Sequence, residues 1–144
     1  MTIEFFVPGI PVAKGSHRAF VIPGTNRAVV TGTNPAKAKP WASSITTLAV
    51  KYKPPQPWDG PIHLNATFYL PPPKSLPKTT PSWPIKKPDA DKLLRFLKDC
   101  LTGVFYHDDA QVISVTLAKH YSVVPGVLVE VTQFCGQGFV PSNE

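Results

Sequence analysis

Between Asp91 and Gly103 the chain reads DKLLRFLKDCLTG. Set at about 100° per residue, Leu93, Leu94, Phe96, Leu97, Cys100 and Leu101 share one arc of roughly 160°, while Asp91, Lys92, Arg95, Lys98, Asp99 and Thr102 take the other side. This sorting predicts an amphipathic helix, whose stripe serves either a core within the chain or an interface between copies. Asp91 suits the N-cap or first turn, where its charge favours the helix dipole, and Gly103 supplies the stop.

The other elements are read around this helix. IEFFVPGIP is a first strand stopped by Pro8 and Pro11, and AFVIPGTNRAVV is a hairpin about Pro23-Gly24-Thr25-Asn26. Trp41, Ile45, Leu48 or Ala49, and Tyr52 recur at helical spacing, which predicts a helix from about Pro40 to Tyr52 with Pro40 in its first turn. IHLNATFYL alternates with period two and is a strand. QVISVTLAKHYSV and GVLVEVTQF are two more, joined at Pro125-Gly126 as the expected hairpin. Residues 71–88, rich in proline and lysine, form an extended loop or flap, and residues 136–144 a frayed tail. The whole reads as one α+β domain over residues 1–144, a mixed sheet with two main helices. Cys100 and Cys135 lie in apolar patterns and read as small buried hydrophobes, which suits a reducing cytoplasm. The N-terminus lacks the pattern of a signal peptide, and nowhere is there an apolar run long enough to span a membrane.

Charge bears on the partner. Fifteen Lys and Arg oppose nine Asp and Glu, giving +6. Five of the nine acids (Asp89, Asp91, Asp99, Asp108 and Asp109) lie between residues 86 and 112, which leaves Glu4, Asp59, Glu130 and Glu144 for the rest of the chain. Most of the surface is therefore positive, and the expected partner is polyanionic. Lys14 and Arg18, beside Gly15, either meet phosphate or form a solvated loop.

Crowded carboxylates repel unless a cation offsets them. Pro88 disfavours helical geometry at Lys87, so Asp89-Ala90-Asp91 is expected to run extended and aim both carboxylates at one point. The alternative is two N-terminal acids favoured by the dipole alone. Of Asp108 and Asp109, just before a strand, one faces a cavity while the other faces solvent or caps a turn. If that strand lies beside the helix N-terminus, three carboxylates converge, a hard oxygen set for Mg2+ or Mn2+. Asp99, about 12 Å of helical rise from Asp91, reads instead as the surface partner of Arg95. His107 is either a ligand or base or part of an exposed connection, and His17, His63 and His120 have no zinc-site spacing.

PDADKLLRFLKDCLTGVFYHDDAQV resembles the motif of the RusA-type Holliday junction resolvases. The shared features are two aspartates one residue apart, a basic residue four positions on, a helix ending at glycine, and Asp-Asp-x-Gln before an aliphatic residue. A weaker likeness extends to GIPVAKGSHR and to the order of elements. The resemblance implies a small homodimeric, Mg2+-dependent endonuclease of phage or prophage type that cleaves four-way DNA junctions. By position it implies Asp89, Asp91 and Asp109 as metal ligands and catalytic residues, with Asp108 a possible addition. Two residues depart from the pattern: Lys92 stands where the family usually has Asn, and Arg95 where it has a functional Lys. Arg keeps the charge and can bind phosphate bidentately, but it is no proton donor. Lys14, Arg18, Lys74, Lys78, Lys86, Lys87 and Lys92 are the expected DNA contacts. A DNA-binding module without catalysis and a metal-dependent hydrolase of other phosphoesters are the competing readings.

Overall fold

In chain order the elements are β1 (Thr2–Pro8), β2 (Arg18–Val21), β3 (Ala28–Thr31), α1 (Pro35–Tyr52), β4 (Ile62–Leu70), α2 (Ala90–Leu101), a single 3-10 turn (Asp109–Gln111), β5 (Val112–Tyr121) and β6 (Gly126–Gln133). They are given by a computed structural model that describes every residue except 16, 17, 22, 25–27, 32–34, 78, 80, 135, 137, 143 and 144, with backbone alone for 18–21 and 28–31. Cys135 and His17 thus lie outside the described residues.

One mixed sheet runs in the order β1-β6-β4-β5, parallel between β4 and β5 and antiparallel elsewhere, and β2 and β3 form a separate two-stranded hairpin. The α+β reading holds. Alternate residues of β4, from Ile62 to Leu70, are buried beneath the helices, in register with Val127, Val129 and Val131 of β6. α2 contributes Leu93, Leu97 and Leu101 to the core, and α1 contributes Trp41, Ile45 and Ala49. Leu94, Phe96 and Cys100 of the expected arc flank that core. Among the described residues no polar or charged residue is buried, so the core is apolar burial throughout.

Two expectations are corrected. The strands flanking Pro125-Gly126 do not pair, because β4 lies between them. Residues 122–125 need to cross only two strand spacings, about 9.6 Å, which four extended residues cover. On the way Ser122 N donates to Leu70 O at the end of β4 (2.9 Å), and Gly9 N donates to Pro125 O (3.1 Å). Secondly, α1 begins at Pro35, so Pro40 sits inside the helix rather than in its first turn. Either proline fits a first turn, and the residues before Trp41 carry no apolar period to choose between them.

Candidate functional site

The approach to α2 carries the chemistry. Asp89 is its N-cap, with extended backbone (φ −72°, ψ 138°) and no side-chain capping bond, so its carboxylate is not spent on the helix. Ala90 and Asp91 are already helical, which corrects the extended Asp-x-Asp expectation: residues two apart on a helix do not face the same way. Asp91 occupies the first turn and Arg95 follows one turn later, both exposed. Gly103 ends the helix region with φ +83°, a conformation that glycine adopts without steric cost.

An open cleft of about 410 Å3 lies against this N-terminus, lined by Ala13, Lys14, Gly15, Lys87, Pro88, Asp89 and Lys92. Three lysines and one aspartate thus line the cleft, and Lys92 Nζ lies 3.7 Å from Asp89 Oδ2. Such a surface attracts anions. A larger hollow of about 540 Å3 adjoins it, lined by residues 9–13 and Trp41 with Lys37 at its rim; it is apolar and carries no acid.

Lys14 is bound to α2 twice. Its N–H donates to Lys92 O (3.0 Å), and its ammonium lies 2.7 Å from Asp99 Oδ2. The expected Asp99–Arg95 pair is therefore replaced by Asp99–Lys14, and Arg95 has no hydrogen bond or ion pair among the described residues. Lys86 and Lys87 are exposed and adjoin the cleft, and Lys74 is exposed farther along the flap. Lys78 and the side chain of Arg18 lie outside the described residues.

The second pair of acids divides its work. Asp108 caps the 3-10 turn: Ala110 N donates to its Oδ1 (2.9 Å), and Gln111 Oε1 accepts in return from the N–H groups of Asp108 (3.0 Å) and His107 (2.8 Å). Gln111 Nε2 also donates to the carbonyls of Trp58 (2.7 Å) and Gly60 (3.0 Å), joining two loops. The Asp109 carboxylate makes no hydrogen bond to a described residue, and its charge adds to burial in pushing the Tyr106 hydroxyl up in pKa. His107 sits on an exposed connection, its Nε2 2.8 Å from Asp59 Oδ1.

Asp89, Asp91 and Asp109 are, in chemistry, a set of hard oxygens that suits a divalent cation, with Asp89 also paired to Lys92. In geometry they are apart. Lys119, near the far end of β5, donates to the carbonyls of Lys86 and Pro88 (2.8 Å each) and ties the α2 approach there, whereas Asp109 precedes the first residue of β5. Among the described residues no three His, Cys, Asp or Glu are grouped so as to hold a metal ion.

Two structural contributors escaped the sequence reading. Gln111 was legible, since Asp108-x-x-Gln111 has capping-box spacing. Lys119 was legible as a break in pattern, a charge on the strand face that begins Val115, Leu117.

Fold and cleft together define a mixed-sheet α+β protein with a basic opening at a helix N-terminus. The chain belongs to the family described as Endodeoxyribonuclease RusA, whose model matches residues 8–132, the stretch that holds the cleft and both acid pairs. It is also similar to the uncharacterized protein YqaN of Bacillus subtilis (strain 168), 31% identical over 140 residues that cover 91% of this chain and 96% of the relative. Membership supports a nuclease that cuts within DNA. Among the described residues no helix is long and apolar enough to cross a membrane.

Proposed function

We propose that the protein is a Mg2+-dependent endonuclease that resolves four-way DNA junctions as a homodimer. The observation that carries this reading is the cleft at the start of α2, lined by Lys14, Lys87 and Lys92 together with Asp89. Lysines so placed neutralise phosphates on either side of a bound phosphodiester and give affinity without reading sequence. Arg95, exposed and free of described partners, contacts the scissile phosphate from one turn beyond Asp91. Lys74 and Lys86 hold the strand along the flap. Asp89, Asp91 and Asp109 would supply the oxygens for the cation once Asp109 is brought to the α2 acids, and the cation would lower the pKa of a water and offset charge on the phosphate.

A second reading is a junction-binding protein with weakened catalysis, and the separation of Asp109 from the α2 acids favours it. Incubation with a labelled four-way junction and a matched linear duplex, with and without Mg2+, decides between them. Symmetric, metal-dependent nicking of the junction alone is expected. Tight junction binding with no nicking in Mg2+ or Mn2+ would leave the binding reading, and equal cutting of both substrates would remove junction selectivity.

A further inference from the structure

Both helices cover one face of the four-stranded sheet, and no helix among the described residues packs on the other. On that open face, at the end where β1 and β6 meet at Pro8 and Gly126, four rings adjoin in sequence. Phe6 lies 6.3 Å from Tyr69, Tyr69 is stacked 6.2 Å from His120, and His120 is 5.5 Å from Trp83. The row starts on one edge strand, passes a central strand and the opposite edge, and finishes on the flap. Its flap end, Trp83, is 69% exposed. One exposed aromatic is ordinary, but a contiguous row with Phe6 and Trp83 exposed at its ends is what interaction surfaces offer.

We propose that this row is a stacking platform for unpaired nucleobases, which receives a single DNA strand passing from the α2 cleft. The inference rests on the DNA reading above and adds the form of DNA held. The rings are 5.5 to 6.3 Å apart, contact distances for neighbouring aromatics, so the row is continuous, and its most exposed ring is Trp83. Duplex DNA does not present its base faces at all, whereas the π-faces of a single strand stack on aromatic side chains whatever the sequence.

Connection to the cleft comes from β5. Lys119 and His120 are neighbours on a strand and point to opposite faces; Lys119 holds the carbonyls of Lys86 and Pro88 on the helix side while His120 meets Trp83 on the open side. The flap therefore wraps the edge of β5, and Lys86 and Lys87, exposed and without an ion pair among the described residues, sit where a backbone would cross that edge. Charge also limits the path. Glu4 and Glu130 face each other on the same open face, one row beyond Phe6 and Leu128, and repel phosphate from the rest of the sheet. The strand is thereby confined to the aromatic end.

The test is binding in EDTA, by anisotropy, of a labelled oligothymidine and of an abasic oligonucleotide of equal length and charge. The wild type is expected to prefer oligothymidine at least tenfold. Trp83→Ala should lower that preference roughly five- to hundredfold, the range for one lost base–aromatic stack, with abasic affinity unchanged; Trp83→Phe should keep most of it. Equal affinity of the wild type for both polymers, or an equal loss of both in a folded Trp83→Ala, would overturn the platform and leave the nuclease reading standing. Failure to bind either polymer would likewise overturn the platform, and the nuclease reading would still stand or fall on the junction assay.

Discussion

Replacing Lys119 by Met keeps the aliphatic stem on β5 and removes the ammonium that holds the approach to α2. Two hydrogen bonds of 2.8 Å are lost, one to the exposed carbonyl side of Lys86 and one to the half-buried carbonyl of Pro88. Bonds from a charged donor contribute about 1.5–3 kcal/mol when sheltered, and the exposure here brings each to about 1 kcal/mol. A loss of about 2 kcal/mol raises the population of the detached flap roughly thirtyfold. Limited trypsin at low protease reports it directly, because cleavage of the Lys86–Lys87 bond then tracks the open population. Under the proposed function the same variant also loses junction cleavage, since Asp89 follows directly on the freed segment. A tryptic rate after Lys86 within twofold of wild type would show that Lys119 does not hold the flap, and would break the link drawn between cleft and open sheet face.

Arg95→Ala should leave the unfolding free energy from a urea melt within about 0.5 kcal/mol of wild type, as expected of an exposed residue whose side chain has no partner among the described residues, and should lower single-turnover junction cleavage about a hundredfold, with Arg95→Lys in between. Unchanged cleavage would retire its role. Asp99→Asn releases Lys14, so affinity for duplex DNA should rise and the slope of log K against log salt should steepen by up to about 0.9; an unchanged slope would show that Lys14 meets no phosphate. Gly126→Ala should cost about 1–3 kcal/mol in a urea melt, because a Cβ there would overlap the Val7 carbonyl and the Phe6 ring, and a neutral result would contradict that packing. Burial, and then the charge of Asp99, push the Cys100 thiol from 9.0 up to about 11. Above its unfolded value only the unfolded chain ionises, so stability should fall as pH rises from about 9 to 11, and Cys100→Ala should make that decline shallower, though Tyr106 shifts in the same direction. Identical pH slopes in the two proteins would refute the assignment.

What the sequence by itself determined was local. The alternation of IHLNATFYL became β4 residue for residue, the arc of Leu93, Leu97 and Leu101 became the buried face of α2, and Gly103 ended it, because each rests on periodicity or backbone freedom within a few residues. The motif from Asp89 to Val112 likewise named the family from chemistry written in one segment. Only the tertiary structure decided which strands are neighbours. A connection of four residues serves a hairpin or a step across one strand equally well, and β4, with a partner on each side, took the place between β5 and β6. It also decided that Asp99 belongs to Lys14 rather than to Arg95, that Asp109 stands apart from the α2 acids, and that Phe6, Tyr69, His120 and Trp83 form one row. Those contacts join residues far apart in the chain, where neither spacing nor pattern carries information; packing sets them, because the sheet must bury one face under both helices and leave the other open.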